Sequence, residues 1–133
     1  MTNEAIIKLA SQLVNPKTID NAEMGSVACI LITDQNTVFE GVCIDTICGM
    51  GFCAEHTAIS QMITQGEYKI SKIVAIKKDS QGNAYVLAPC GRCREFIYQT
   101  NKENINTEVV LGIDKVVKLQ ELLPYQDWQQ KVG

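Results

Sequence analysis

Apolar and polar positions follow two different periods along the chain, and these periods predict its helices and strands. Residues 4–14 place apolar side chains on one side at helical spacing, which predicts an amphipathic helix ending at Asn15 and Pro16. The runs SVACILIT (residues 26–33) and TVFEGVCI (residues 37–44) are typical of strands. The turn-forming DQN between them predicts a hairpin.

Helices and strands continue to alternate in the rest of the chain. A second helix is predicted from Cys53 to near Gly66, and a third directly after Pro89, because proline is favoured just ahead of a first turn. Three further apolar runs predict strands at residues 71–78, 84–88 and 107–111. This alternation indicates an α/β fold with helices on both faces of one sheet, and we expect a single domain over residues 1–133.

The composition is typical of a cytoplasmic globular protein. With 46% hydrophobic residues, the 133-residue chain can bury a core without disulfides. The N-terminal segment lacks the basic start and continuous apolar run of a secretory signal, and we expect no membrane association. A formal net charge of -3 and an aromatic content of 6% argue against a nucleic acid polymer as partner. A small-molecule ligand is the better expectation.

The spacing of the cysteines indicates a metal site. The chain has six cysteines, which in a reducing compartment are more typical of free thiols or metal ligands than of disulfides. Cys53 begins the second predicted helix, and Cys90 and Cys93 begin the third. If the two helix starts lie side by side, three thiols could bind one zinc ion and leave a fourth position for water. Glu55 could then transfer protons to and from that water.

The order and spacing of these residues resemble a known family. CAE at residues 53–55, followed by PCGRCR at residues 89–94, is similar to the paired motifs of the zinc-dependent cytidine deaminase superfamily. The all-cysteine ligand set is similar to small cytidine deaminases and blasticidin S deaminase, and ELLP at residues 121–124 is similar to the family's closing motif. The resemblance implies a three-layer α/β/α sandwich with a mixed central sheet of about five strands. It also implies one zinc ion per chain and a homo-oligomer, either a dimer or a tetramer.

The resemblance implies a role for each residue of the two motifs. Cys53, Cys90 and Cys93 would bind zinc, and Glu55 would be the catalytic proton shuttle. The reaction would be hydrolytic release of ammonia from a cytosine nucleoside or a modified analogue, as in pyrimidine salvage. The Ala88 carbonyl would accept a hydrogen bond from the exocyclic amine.

Further residues are expected to contact the substrate or the thiolates. Backbone amides at Ala54 would orient the ring, and Trp128 or Tyr125 could cap the pocket, although a tryptophan in such a position is more often a packing anchor for the tail. His56 stands where cytidine deaminases commonly have Arg, and it could hydrogen-bond a thiolate or be purely structural. Arg94, or its neighbour Arg92, could donate to a thiolate.

The sequence departs from the family where the sugar is bound. Small cytidine deaminases carry an Asn-x-Glu pair there, whereas this chain has Cys43 and Asp45, so an ordinary ribose would be held less well. The departure leaves open, as an alternative, a blasticidin-like or purine-type aminohydrolase with little cytidine activity. Blasticidin S deaminase keeps the Asn, however, so Cys43 does not match it either. Asp45 could also be only a solvated acid, and Cys43 and Cys48 could pack or line the pocket. Cys29, within a strand, is expected to be a small buried hydrophobe.

A non-enzymatic alternative remains open at this point. In a structural-zinc or thiol-based binding module, His56 or Cys48 would close the metal site as a fourth ligand. Four protein ligands around the metal would indicate the structural module, whereas three ligands with one open position would indicate an enzyme.

Overall fold

The computed structural model describes residues 1–133, in which helices and strands alternate. The helices are α1 (Asn3–Leu13), α2 (Ala54–Thr64), α3 (Gly91–Thr100) and α4 (Leu119–Leu122). The strands are β1 (Lys17–Ile19), β2 (Ala22–Thr33), β3 (Val38–Asp45), β4 (Ile70–Lys78), β5 (Ala84–Leu87), β6 (Glu108–Gly112) and β7 (Lys115–Lys118). Two 3₁₀ segments follow β3 and α3, at Ile47–Gly49 and Lys102–Asn106. None of the helices is both long and apolar enough to cross a membrane.

All seven strands join one mixed sheet. The order is β1-β2-β4-β6-β7, with β3 also paired to β2 and β5 to β4. β4 and β6 run parallel, and the other strand pairs are antiparallel. The sheet therefore has more strands than the five or so that were expected. The sequence does not predict β1 and β7, because these strands of three and four residues are mostly exposed and carry no clear apolar alternation.

Helices cover both faces of the sheet, as the alternation predicts. On one face, Ile6 and Ala10 of α1 pack with buried side chains of β2, β4 and β6. On the other face, a larger apolar cluster joins α2 and α3 to the sheet, with Ile59, Met62 and Ile97 fully buried. The α/β/α layering is thus confirmed.

Close packing of α2 on β3 fixes where α2 begins. Gly41 of β3 lies so close to the backbone of Ala58 that a Cβ atom would overlap it. The Thr57 hydroxyl donates to the Val42 carbonyl at 2.8 Å, which joins the helix to the strand directly. Gly51, in the connecting loop, likewise leaves no room for a side chain against Ile44. These contacts hold the start of α2 against the middle of β3 and the connecting loop against the end of that strand.

Candidate active site

The first turns of α2 and α3 bring three cysteines together. Cys53 is the N-cap residue of α2 and Cys90 that of α3, both with extended backbone, and Cys93 lies in the first turn of α3. The Sγ atom of Cys90 lies 3.7 Å from that of Cys53 and 3.4 Å from that of Cys93. All three sulfurs lie within 4.8 Å of one another. The sequence prediction that the two helix starts meet is therefore confirmed.

The three sulfurs have the spacing that zinc requires. Zn–S bonds of about 2.3 Å in a tetrahedron put neighbouring sulfurs about 3.8 Å apart, close to the separations of Cys90 from Cys53 and from Cys93. No other His, Cys, Asp or Glu joins this group of potential ligands. His56 and Cys48, the fourth ligands of the closed-site alternative, are both outside it. The group offers three ligands and leaves one position open, which is the arrangement of catalytic zinc sites.

The carboxyl group of Glu55 lies beside the three thiols. Glu55 is in the first turn of α2, is 5% exposed and lines the main cavity of the protein. Burial raises the pKa of this carboxyl, while hydrogen bonds from its own backbone N–H and from Cys93 oppose the rise. A carboxyl group with a raised pKa holds and releases a proton more readily near neutral pH than an ordinary one.

The thiols differ in their surroundings. Burial raises the pKa of Cys93 strongly and, to a lesser degree, that of Cys53. The pKa of Cys90, by contrast, is lowered. Burial alone would raise it, but the sulfur also has hydrogen bonds with the backbone N–H groups of Cys93 and Arg92 and with the other two thiols, and these outweigh burial. The free N–H groups of a helix start thus stabilise a negative sulfur at this position.

His56 packs against the site without belonging to the ligand group. Its ring stacks on that of Phe96, with centroids 4.2 Å apart and an angle of 9° between the planes. Its Nδ1 atom lies 3.6 Å from the Sγ atom of Cys93. Burial and the nearby charge of Arg92 both lower the pKa of His56, so its neutral form is favoured. The expected thiol contact is present, whereas the stacking on Phe96 has no signal in the sequence.

Arg94 takes a different position from the one expected. Its Nε atom donates to the Pro89 carbonyl at 2.8 Å and its Nη1 atom to the Leu122 carbonyl at 3.1 Å. The guanidinium group therefore joins α3 to α4 and contacts no thiolate. Arg92 is the arginine that lines the cavity beside Cys90.

A cavity of about 370 Å³ opens next to the thiols, within the usual range for small-molecule sites. Four of the expected substrate-binding residues line it: Cys43, Asp45, Ala54 and Ala88. Apolar side chains, among them Val27, Phe52 and Leu87, form much of its wall. These three residues and Thr46 were not predicted from the sequence, because apolar strand ends and a loop threonine carry no motif.

Trp128 lies outside this cavity. It is 66% exposed and lines a separate hollow of about 60 Å³ with Tyr98 and Lys102. Tyr125, the other aromatic considered as a cap, is 96% exposed. Within one chain, neither residue covers the cavity beside the thiols.

The remaining cysteines have distinct environments. Cys29 is fully buried in the sheet, as expected, and burial raises its pKa. Cys43 is 4% exposed, and its sulfur accepts a hydrogen bond from the Val27 N–H at 3.3 Å. Cys48 is exposed in the loop after β3, with a φ of 63°. Cys43 therefore lines the cavity, whereas Cys48 does not.

Comparison with known proteins assigns the family. A model of the cytidine and deoxycytidylate deaminase zinc-binding region matches residues 1–109 of the chain. The chain belongs to this family. Together, the family's zinc-binding region and the three-cysteine group identify zinc as the metal of this cytidine deaminase family member.

Individual members of the family are similar over part of the sequence. A cytidine deaminase of Mycoplasma genitalium is 37% identical over 82 residues, which are 57% of this chain and 59% of that protein. A probable cytidine deaminase of Dictyostelium discoideum is 31% identical over 71 residues, which are 53% of this chain and 46% of that protein. The matched segments thus span about half of each relative.

Solved structures share the fold over nearly the whole chain. The crystal structure of cytidine deaminase from Burkholderia pseudomallei is 26% identical, with a TM-score of 0.73, and covers 94% of this chain and 98% of that one. The cytidine deaminase from Mycobacterium leprae is 22% identical, with a TM-score of 0.71 and coverage of 91% and 96%. The α/β/α architecture expected from the sequence is therefore that of cytidine deaminases.

Proposed function

We propose that this protein is a zinc-dependent hydrolytic deaminase that releases ammonia from a cytosine nucleoside or a modified analogue. The observation that carries this proposal is the open group of three thiols with the buried Glu55 carboxyl beside it, at the wall of a substrate-sized cavity. The family membership and the cytidine deaminase relatives support the same reaction.

Cys53, Cys90 and Cys93 would hold the zinc ion. When bound, zinc supplies a Lewis acid that makes water a nucleophile near neutral pH. Glu55 removes a proton from the attacking water, because its buried carboxylate lies next to the open position. The same carboxyl group donates that proton to the ring nitrogen, then takes the second proton of the attacking water and donates it to the departing amine, so that water supplies both protons. Burial supports both steps, since the raised pKa lets Glu55 exist in either protonation state.

Backbone groups of the two helix starts would orient the ring. The Ala88 carbonyl, immediately before Pro89, accepts a hydrogen bond from the exocyclic amine, and the backbone amides at Ala54 and Glu55 donate to the opposite side of the ring. The apolar wall, which includes Phe52, excludes water from the ring face. The amine is thereby held next to the open zinc position.

A second candidate function keeps the same chemistry but changes the substrate. Cys43 and Asp45 line the cavity where a nucleoside would place its sugar, and they lack the amide of the family's usual pair. The alternative is a blasticidin-like or purine-type aminohydrolase with little cytidine activity. The structural-zinc module is disfavoured, because only three ligands converge.

The wider setting is also part of the proposal. We infer one domain over residues 1–133, a cytoplasmic location and a role in pyrimidine salvage. A homo-oligomer, either a dimer or a tetramer, is supported by exposed apolar side chains close to the cavity, such as Ile47 at 59% and Met50 at 76% exposure. Trp128, exposed in one chain, would reach a substrate only from a neighbouring subunit. Light scattering measures the oligomeric state directly.

A substrate panel tests the proposed function. Ammonia release by the zinc-loaded protein would be measured with cytidine, deoxycytidine, free cytosine, guanine-type bases and blasticidin S. We expect cytidine or deoxycytidine to react fastest. Preference for the purine bases or blasticidin S would establish the alternative, and no ammonia from any compound would refute deamination.

A further inference from the structure

The Ala88 carbonyl lies in a three-residue segment between β5 and α3. Pairing of β5 with β4 ends at Leu87, and α3 begins at Gly91. Ala88 and Cys90 are exposed at the cavity, whereas Pro89 between them is buried. The Ala88 carbonyl makes no hydrogen bond within the protein, so it is free to accept one from a ligand. Because no bond of its own holds this carbonyl, its direction depends on the neighbouring backbone.

Proline reduces the freedom of this segment to one rotation. The ring fixes φ of Pro89 at about −65°, and the peptide groups on either side of Pro89 are planar. Rotation about the Cα–C bond of Pro89 is then the remaining motion that turns the Ala88 carbonyl relative to Cys90. A hydrogen bond to the Pro89 carbonyl oxygen restricts that rotation. Such a bond therefore sets the direction of the Ala88 carbonyl relative to α3.

Arg94 makes this bond. Its Nε atom donates to the Pro89 carbonyl at 2.8 Å. Its backbone N–H donates to the Cys90 carbonyl at 3.0 Å, which anchors Arg94 in the first turns of α3. Its Nη1 atom donates to the Leu122 carbonyl at 3.1 Å and so holds the guanidinium group from the side of α4. The guanidinium group takes part in neither ion pair of the protein, and its charge strengthens the two bonds to carbonyl oxygens.

We propose that Arg94 is a positioning residue, which acts through the Pro89 carbonyl to direct the Ala88 carbonyl toward the amine of the substrate. This inference rests on the proposed function, in which Ala88 accepts a hydrogen bond from that amine. Arg94 itself does not line the cavity, so it acts without contact to the substrate. The competing explanation is that Arg94 only joins α3 to α4.

Arg94→Lys separates the two explanations. In lysine, a methylene group occupies the position of the arginine Nε atom, so the donor to the Pro89 carbonyl is lost. The ammonium group lies where the guanidinium carbon was, within reach of the Leu122 carbonyl. The variant thus keeps the positive charge and the link to α4, and removes the bond that would position the Ala88 carbonyl.

Binding of cytidine and uridine gives the readout. Cytidine carries the amine, whereas uridine has a carbonyl oxygen in its place and cannot donate to Ala88. Calorimetry would give both Kd values in zinc-loaded Glu55→Gln protein, in which turnover is slow, with and without Arg94→Lys and at equal, verified zinc content. Leu119→Val in the same background is the control. It weakens the packing of α4, where Leu119 is fully buried, and leaves the bond between Arg94 and Pro89 in place.

We expect Arg94→Lys to weaken cytidine binding about two- to tenfold, the effect of one misaligned neutral hydrogen bond, and to leave uridine binding unchanged. Leu119→Val should lower the unfolding temperature and leave the ratio of the two Kd values unchanged. A merely structural Arg94 would not change that ratio, because loss of stability affects both nucleosides alike.

The inference and the proposed function fail in distinguishable ways. If Arg94→Lys weakens both nucleosides equally or neither, or if Leu119→Val changes the ratio as much as Arg94→Lys, then Arg94 only joins the two helices. The proposed function stands in that case, provided that the wild-type protein releases ammonia from cytidine. If the zinc-loaded wild-type protein releases no ammonia from any compound of the panel, the proposed function fails and this inference fails with it.

Discussion

Asn104 joins the helix that carries two of the zinc-site cysteines to the central sheet. Its side chain is fully buried: the Oδ1 atom accepts from the Ile70 N–H at 2.9 Å, and the Nδ2 atom donates to the Ile97 carbonyl at 3.0 Å. Ile70 begins β4, and Ile97 lies in α3. Asn104→Ala removes both bonds at once and leaves two buried backbone groups without partners.

The magnitude follows from the number of groups left unpaired. Each costs about 1–3 kcal/mol, so we expect Asn104→Ala to lower the free energy of unfolding by about 2–6 kcal/mol. For a chain of this size, the entropy of unfolding converts that loss into a fall of about 7–21 °C in the unfolding temperature. Urea unfolding with an unchanged slope would show that the native state, and not the unfolded ensemble, is affected.

Asn106→Ala is the matched control for this prediction. Asn106 is exposed in the same 3₁₀ segment, and its side chain makes no hydrogen bond. The control should change the free energy of unfolding by less than about 0.5 kcal/mol. A loss below about 1 kcal/mol for Asn104→Ala, or equal losses in both variants, would refute the argument that buried pairing makes Asn104 important.

Three further predictions concern the zinc site, the packing of α2 and a surface turn. His56→Ala should weaken zinc binding about 10–100-fold in a chelator competition, because the imidazole supports a ligand thiol; equal affinity would contradict that contact. Gly41→Ala should lower the free energy of unfolding, measured in urea, by about 1–3 kcal/mol, because the added Cβ overlaps α2. Gly91→Ala should not lower it, because no other atom lies near the added Cβ. A hydrogen bond from the Asn83 N–H lowers the pKa of Asp79. The ionised carboxylate therefore stabilises the turn at pH values above the ordinary carboxyl pKa, and this stabilisation is lost as the pH falls through the lowered pKa. An NMR titration of Asp79 with a midpoint above the ordinary carboxyl pKa would refute this prediction.

The sequence predicted the parts of the site that depend on helix starts. Cys53 and Cys90 each begin a helix, and because such starts meet at one sheet edge, their convergence with Cys93 followed from spacing and order. The position of Glu55 followed for the same reason, since it lies in the first turn of α2. Sequence signals for helix starts are therefore enough to predict the position of a catalytic or ligand residue that lies at such a start.

Features that depend on side-chain direction were not predictable in the same way. Arg94 was expected at a thiolate, but its guanidinium group turns toward α4, whose position is set by tertiary packing. The stacking of His56 on Phe96 and the unpaired hydroxyl of Thr46 arise from contacts between distant segments or from their absence. The short strands β1 and β7 likewise form by pairing with longer neighbours rather than by their own pattern.

Glu55→Gln tests the central claim most directly, because it removes the proposed proton carrier and keeps the side-chain shape. Ammonia release from the best substrate of the panel would be measured with wild-type and variant proteins loaded with equal, verified amounts of zinc. We predict rapid release by the wild-type protein and a loss of at least about a hundredfold in the variant. Ammonia release by the variant at the wild-type rate, with zinc bound, would contradict the role assigned to Glu55.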